Sequence, residues 1–126
     1  MTVDLWMLVA STVLSWLLIM VAATPVVADA KVGLGNREDL PTPTGLFGRA
    51  GRASANMKEN LPMFAIVVLV AHVSGSADAT SALGAQIFFG ARVAHSLIYI
   101  AGIPGLRTLS WLVSIVGMGM VASSLF

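Results

Sequence analysis

Four long apolar stretches, separated by shorter polar segments, dominate the pattern along the chain. They cover about residues 3–28, 48–75, 80–101 and 106–125. Each is long enough to cross a bilayer core of about 30 Å as a helix, which takes roughly 20 residues. The stretches are continuously apolar instead of alternating, which argues against membrane-spanning β-strands. The pattern predicts an all-α integral membrane protein, a four-transmembrane-helix bundle that forms a single domain over residues 1–126.

Composition agrees with this interpretation. Charged residues make up 10% of the chain and apolar residues 57%, whereas ordinary globular proteins carry about 25% charged residues. A soluble domain of 126 residues cannot bury so much apolar surface. The lack of cysteine excludes a disulfide scaffold and a protein thiol nucleophile. His72 and His95 are too far apart to form a compact pair, so no metal site is expected. No nucleic-acid partner is expected for this chain.

The first apolar stretch also has to be weighed against a cleaved signal peptide. The sequence Ala-Asp-Ala at 28–30 resembles a small-residue cleavage site. However, no Lys or Arg precedes Lys31, and the apolar run is far longer than the roughly 7–15 residues of a signal core. A retained membrane helix is the preferred interpretation.

The positive charges are distributed asymmetrically. All seven Lys and Arg residues lie in or near the segments that follow the first and third predicted helices. With four crossings these two segments share a side, and the opposite side carries only Asp4 and Asp78. Positive residues favour the cytoplasmic side of a membrane. The pattern therefore predicts a cytoplasmic loop at 29–47 and both termini on the non-cytoplasmic side.

Polar residues at the start of the second predicted helix share one face. At about 100° per residue, four of them fall within roughly 80° of one another, whereas Lys58 points elsewhere. The four are Arg49, Arg52, Asn56 and Glu59. Such phasing indicates side chains directed at a common target.

The third predicted helix carries a second polar face, formed by Arg92, His95 and Tyr99 at i, i+3 and i+7 spacing. An arginine deep in an apolar segment costs about 2.5–3.5 kcal/mol on insertion scales, so Arg92 is expected to face an anionic partner. The simplest partner is Glu59, in an ion pair that only fixes helix packing.

The balance of charge favours a ligand over packing alone. Four arginines, at positions 49, 52, 92 and 107, lie near one membrane face, and Glu59 is the main anion in register with them. Glu38 and Asp39 in the loop lack helical phase with the site. A surplus of arginines around a semi-buried pocket favours an anionic ligand, because Arg prefers bidentate carboxylate or phosphate contacts.

Anionic lipid is the competing explanation for the cluster. Basic residues beside a membrane commonly bind head groups, at about 1 kcal/mol each, and Lys31, Arg37 and Lys58 fit that role. Glu59 would repel a lipid phosphate, whereas a ligand with both carboxylates and an ammonium group would use it.

Smaller features are assigned to packing and membrane contact. His72 is predicted to be a hydrogen-bonded packing residue. Gly84 with Gly90, and Gly117 with Gly119, are small residues that permit close helix contact. The tryptophans are interpreted as interfacial anchors or lipid-facing bulk: Trp6, Trp16 and Trp111.

Three segments together resemble a known family. RAGRASANMKE at 49–59, ARVAHSLIY at 91–99 and GLRTL at 105–109 are similar to motifs of the MAPEG superfamily, the membrane-associated proteins in eicosanoid and glutathione metabolism. The resemblance implies a homotrimer that uses glutathione as cosubstrate, bound between neighbouring subunits at the cytosolic membrane face. Short loops and compact length resemble bacterial members and imply an inner-membrane location.

The resemblance also implies roles for individual residues. Catalytic positions, at which the glutathione sulfur is activated, are matched by Arg107 and Thr108. Glutathione-binding positions are matched by Lys31, Arg49, Arg52, Asn56, Glu59, Arg92, His95 and Tyr99. Among these, Glu59 suits the α-ammonium group, and Lys31 corresponds to a basic residue contributed across the subunit interface.

The implied chemistry is thiol activation. A free thiol has a pKa of about 8.5 and reacts as its thiolate, which Arg107 would stabilise. The thiolate would attack a lipophilic electrophile or hydroperoxide dissolved in the bilayer, as in detoxification.

Three residues, Ala55, Asn60 and Trp111, depart from residues common in the family, which argues against a specialised eicosanoid synthase. A non-catalytic lipid-binding or scaffold member is the alternative, and a small structural protein with lipid-bound arginines is a third.

Overall fold

The computed structural model describes residues 1–38 and 40–126, and its regular elements in that part of the chain are all helices. The all-α prediction is confirmed there; Asp39, weighed above as a loop charge, lies outside the described residues. In chain order the elements are α1 (Val3–Ala28), α2 (Ala30–Leu34), α3 (Gly45–Val73), α4 (Ala79–Ala101) and α5 (Pro104–Ser123).

The helices differ in detail from the predicted boundaries. The segment 29–47, expected to be a loop, contains the short helix α2, because the side chain of Asp29 caps it by accepting a hydrogen bond from the backbone N–H of Lys31. Helix α3 begins three residues before position 48. Its polar first turns are helical because they pack against the other helices through small residues, Ala50 and Ala53, both fully buried.

Three helices, α1, α4 and α5, are long and apolar enough to cross a membrane. Helix α3 is longer than each of them. Its first half carries the charged residues of the 49–59 segment, and α3 is not among the helices that are apolar enough to cross a membrane. The fourth crossing therefore stays a prediction.

The four long helices run alternately up and down. Thr2, just before α1, contacts His72 near the end of α3, and Asp4 contacts Ser81 at the start of α4. At the other end, Arg49 of α3 contacts Ile100 near the end of α4. The segment after α1 and the turn after α4 therefore lie at the same end of the bundle, which we call the arginine end.

Local signals set the position of α5 relative to α4. Helix α4 starts with a capping box, in which Asp78 accepts from the backbone of Ser81 at 2.8 Å and the Ser81 hydroxyl accepts from the backbone of Asp78 at 3.0 Å. It ends at Gly102, whose φ of 83° is a left-handed conformation that glycine adopts without strain. Pro104 then opens α5 at once. This tight turn places Arg107 beside the end of α4.

Packing inside the bundle depends on aromatic stacking and on glycine contact. Phe64 of α3 stacks on Phe88 of α4 with ring centroids 3.8 Å apart and planes at 11°. Gly84 of α4 meets Gly117 of α5 so closely that a Cβ on Gly117 would lie 2.6 Å from the Gly84 carbonyl oxygen. The backbones of α4 and α5 are therefore in direct contact.

A buried polar cluster joins three helices at the end opposite the arginine end. Asp4 is 2% exposed, and its Oδ2 atom lies 2.8 Å from Nε2 of His72 and 3.2 Å from the hydroxyl of Ser81, which donates to it. The hydroxyl of Thr2 is also 3.0 Å from His72 Nε2. The prediction that His72 is a hydrogen-bonded packing residue is confirmed.

We expect Asp4→Asn to lower the free energy of unfolding by about 1–2 kcal/mol, because a charge-assisted hydrogen bond is replaced by a weaker neutral one. Unfolding followed by circular dichroism in detergent micelles measures the change. Asp29→Asn is the matched control, since Asn also caps a helix start and Asp29 is exposed. Equal stability of the two variants would contradict the role assigned to the Asp4 cluster.

Candidate functional site

Two clefts meet at Tyr99 and Arg107 at the arginine end of the bundle. The first, which we call the arginine cleft, has a volume of about 190 Å³ and is lined by Arg49, Arg52, Tyr99, Gly102, Ile103, Pro104 and Arg107. The second, which we call the Asn56 cleft, has a volume of about 220 Å³ and is lined by Asn56, His95, Tyr99, Arg107, Thr108 and Trp111. Helices α3, α4 and α5 all contribute to this double cleft.

Arg107 is held at the junction by stacking. Its Cζ atom lies 4.7 Å from the ring centroid of Tyr99, a cation–π geometry. The Tyr99 ring in turn meets His95 edge to face, with centroids 5.5 Å apart. The contact places the guanidinium over the Tyr99 ring, an arrangement in which the N–H groups can still reach a ligand.

Arg49 ties the start of α3 to the end of α4. Its Nε–H donates to the carbonyl oxygen of Ile100 at 2.6 Å, and its side chain lies against Gly102. The last carbonyls of a helix lack intrahelical partners, so Arg49 satisfies one of them. The rest of its guanidinium lines the arginine cleft beside Arg52.

Arg92 is fully buried behind the Asn56 cleft and lines neither cleft. Its Nη2 donates to Oδ1 of Asn56 at 2.8 Å, and its Nε contacts the sulfur of Met57 at 3.4 Å. The expectation of an anionic partner is wrong, because a neutral amide takes that place. Glu59, proposed as the partner in an ion pair, is exposed to solvent and makes no ion pair within the described part of the chain.

His95 is 3% exposed and joins α4 to α5. Its Nδ1 lies 3.0 Å from the carbonyl oxygen of Arg107 and 3.3 Å from the hydroxyl of Ser110, which itself donates to the same carbonyl at 2.9 Å. Both contacts fix the first turn of α5, and with it the backbone from which the Arg107 side chain starts.

The structure brings most of the predicted site residues together. Seven of them line the two clefts: Arg49, Arg52, Asn56, His95, Tyr99, Arg107 and Thr108. Arg92 stands behind Asn56, while Glu59 and Lys31 are exposed and line neither cleft. None of the described residues lining the clefts is acidic, so the three arginines are not neutralised there.

Some residues of the site had no usable signal in the sequence. The interpretation of Trp111 as an interfacial anchor or lipid-facing bulk is incomplete, because Trp111 also lines the Asn56 cleft. Ser110 acts through the carbonyl of Arg107, and Ile100 contributes only its own carbonyl. Every residue has a backbone carbonyl, so the residue type does not predict which carbonyl accepts a hydrogen bond. These acceptors are identified only from the packing of the helices.

A larger cavity, of about 300 Å³, lies at the same end, between the end of α1, the 41–44 segment and Phe47 of α3. Its lining is mostly apolar and includes Asp29 but no basic side chain, so it does not suit an anion. Within residues 1–38 and 40–126, no group of three His, Asp or Glu side chains comes together as metal ligands would.

Comparison with known proteins adds one positive finding. A family model described as "MAPEG family" matches residues 3–126, nearly the entire chain. No curated protein matches the sequence. The match extends over the helices that carry both clefts and over the three motifs at 49–59, 91–99 and 105–109.

Proposed function

The chain belongs to the MAPEG family, and on that premise we propose that it is a membrane-embedded glutathione transferase or peroxidase. Its substrates would be lipophilic electrophiles or hydroperoxides that reach the site from the bilayer. Glutathione is the proposed cosubstrate, and it supplies the nucleophile, whereas the protein supplies position and electrostatic stabilisation.

The observation that carries the proposal is the position of Arg107 between two clefts without acidic lining. Arg49 and Arg52 line one side of it, where they suit a carboxylate. Thr108 and Asn56 line the other side, where their polar groups suit the remainder of a small peptide. A fixed cation between an anion-binding cleft and a neutral polar cleft suits a molecule with carboxylates at its ends and a thiolate near its middle.

The proposed reaction starts when glutathione binds and its thiol loses a proton to solvent. Arg107 stabilises the resulting thiolate by charge and hydrogen bonding, and the hydroxyl of Thr108 adds a donor. In the transferase reaction the sulfur bonds to an electrophilic carbon and a leaving group departs with its electron pair. In the peroxidase reaction two glutathione molecules reduce a hydroperoxide to an alcohol and water, and they form glutathione disulfide.

We further propose that the protein is a homotrimer in the bacterial inner membrane. Each subunit would cross the membrane four times, with both termini on the non-cytoplasmic side. The loop at 29–47 and the two clefts would then face the cytoplasm. Glu59 is exposed one helical turn beyond Asn56, and Lys31 is exposed on α2. In a trimer, these two side chains would complete the clefts of a neighbouring subunit, where Glu59 would bind the α-ammonium of glutathione. Surrounding lipids are the remaining partners.

The experiment that tests the function uses the full chain purified in detergent. We expect saturable glutathione binding by calorimetry, ultraviolet absorbance of the bound thiolate, and turnover with a chlorinated nitrobenzene as electrophile. Saturable binding without thiolate absorbance or turnover would favour the non-catalytic scaffold alternative. No binding at millimolar glutathione would refute both glutathione-based functions.

Anionic lipid is tested with the same purified chain reconstituted into vesicles. Neither cleft has an acidic lining residue that would repel a phosphate, which is the observation that keeps lipid as a second candidate. If vesicles containing phosphatidylglycerol protect Arg49 and Arg52 from guanidinium-modifying reagents while glutathione does not, the clefts bind lipid head groups. Protection by glutathione in neutral vesicles is the result expected here.

A further inference from the structure

The cavity between the end of α1, helix α2 and the start of α3 is separate from both clefts. Its volume is about 300 Å³, and it shares no lining residue with either cleft. We call it the proline cavity, and its lining consists of Pro25, Val26, Asp29, Val32, Phe47 and the segment 41–44. Pockets for small molecules span roughly 300–1,000 Å³, so a small ligand such as a substituted benzene fits it.

Close backbone contacts set the walls of the proline cavity. Helix α2 folds back on α1, since a Cβ on Gly33 would lie 3.1 Å from the carbonyl oxygen of Val26. The segment 41–44 lies against α3, where a Cβ on Gly48 would collide with the carbonyl oxygen of Pro43. Pro41 and Pro43 have a fixed φ, which stiffens that segment. The walls are therefore held by the fold itself, and the cavity is formed without a ligand.

Asp29 gives the proline cavity a negative charge, whereas the described lining includes no basic residue. Its Oδ1 atom accepts from the backbone N–H of Lys31 at 3.0 Å, and it makes no ion pair within the described part of the chain. A carboxylate can accept about four hydrogen bonds, so this helix cap leaves most of its capacity unused. The charge is thus opposite to that of the arginine cleft, and it favours a cationic ligand.

Phe47 adds an aromatic ring to the same lining, in the first turn of α3. Aromatic rings attract cations, and quaternary ammonium groups are the best-known ligands of this kind. The other side chains on the α1 and α2 walls, Pro25, Val26 and Val32, are apolar, and they gain free energy by covering an apolar ligand. A carboxylate and an aromatic ring in an apolar cavity together suit a cation that carries a hydrophobic body.

We propose that the proline cavity is a binding site for a lipophilic organic cation. The Asp29 carboxylate faces the positive charge of this ligand, and Phe47 and the apolar walls contact its body. In the orientation proposed above, the cavity lies at the cytoplasmic membrane surface, whose anionic lipids concentrate cations nearby. This site is additional to the proposed glutathione function, and it does not depend on that function because the cavity and the clefts have no lining residue in common.

The test compares two ligands of the same shape that differ in charge. Benzyltrimethylammonium is the cation, and neopentylbenzene is its neutral isostere, in which a carbon atom replaces the nitrogen. Dissociation constants are measured by equilibrium dialysis of the full chain in dodecyl maltoside, and binding to protein-free micelles is subtracted. We expect the wild-type protein to bind the cation saturably, at one site per chain.

Asp29→Asn removes the charge of the cavity and keeps the cap of α2, because Asn also caps a helix start. We expect this variant to bind the cation about fivefold more weakly, the upper range for exposed charge pairs, and to bind the neutral isostere as the wild type does. Phe47→Leu should weaken cation binding about threefold, since it removes the aromatic ring. Glu38→Gln is the matched control: it removes an exposed carboxylate of the same segment that does not line the cavity, and it should leave both dissociation constants unchanged.

Three results would overturn the cation site. The first is cation binding to the wild type that does not exceed binding to empty micelles. The second is an equal loss for both ligands in Asp29→Asn, which would make the cavity a site for neutral apolar molecules. The third is an equal loss of cation binding in Glu38→Gln, which would reduce the effect to general surface charge. Failure of glutathione to bind would refute the proposed function and would leave the cation result intact.

Discussion

Replacing Arg107 by alanine is expected to lower kcat/KM for glutathione and a chlorinated nitrobenzene by about 100- to 1,000-fold, the range seen when one preorganised donor to a developing anion is removed. The reason is local. Arg107 lies at the junction of the two clefts and is held against Tyr99. Among the described residues no second cation lines the Asn56 cleft, so no other charge there could stabilise the thiolate of the proposed reaction.

The absorbance of the bound thiolate should disappear in the same variant, while glutathione affinity falls much less, because Arg49 and Arg52 remain in the arginine cleft. Arg107→Lys keeps the charge but loses the planar fork and the stacking on Tyr99, and we expect intermediate turnover. Arg37→Ala is the matched control: Arg37 is exposed, and among the described residues its side chain hydrogen-bonds only to the carbonyl of Gly33, at 3.3 Å. Equal losses of binding and of kcat in Arg107→Ala would contradict a specific effect on the thiolate.

The sequence predicted which residues share a helix face, because helical phase follows from spacing alone. Arg49, Arg52 and Asn56 on α3, and His95 and Tyr99 on α4, line the clefts as their phase predicts. Glu59 and Arg92 belong to the same two faces but line neither cleft, so phase alone does not define the site. Phase does not identify the partner on the neighbouring helix. Arg92 was expected to meet the charge of Glu59, but Asn56 is the nearer acceptor, since it lies one turn earlier on α3.

The glycines of α4 and α5 illustrate the same limit. Their small size predicted close helix contact, which is confirmed for Gly84 and Gly117 and is wrong within the chain for Gly90 and Gly119. Gly84 and Gly117 meet each other across the two helices, whereas a Cβ at Gly90 or Gly119 would meet nothing within 4 Å. The spacing in the sequence pairs each glycine with a neighbour on its own helix. The contact is between helices, and it depends on a crossing point that no spacing within one helix specifies.

The crossing point makes Gly117 a position with a large expected effect on stability, as it does its contact partner Gly84. In Gly117→Ala the new Cβ would lie 2.6 Å from the carbonyl oxygen of Gly84 and 2.6 Å from the backbone nitrogen of Phe88. Both neighbours are backbone atoms, so neither can rotate away and the two helices must separate. Overpacking usually costs about 1–3 kcal/mol and more where the backbone must shift, so we expect a loss of at least about 3 kcal/mol in the free energy of unfolding.

Gly119→Ala is the control, because it makes the same chemical change two residues later on the same helix, at an exposed position with open space around it. Alanine also favours a helix over glycine by about 1 kcal/mol, so this variant should be as stable as the wild type or slightly more stable. Unfolding of both variants in detergent, followed by circular dichroism, measures the difference.

Separation of α4 from α5 at Gly117 would also lengthen the contact between His95 and the carbonyl of Arg107, so Gly117→Ala should lose turnover at temperatures where it is still folded. If Gly117→Ala were as stable and as active as Gly119→Ala, the direct contact of the α4 and α5 backbones could not be what positions Arg107.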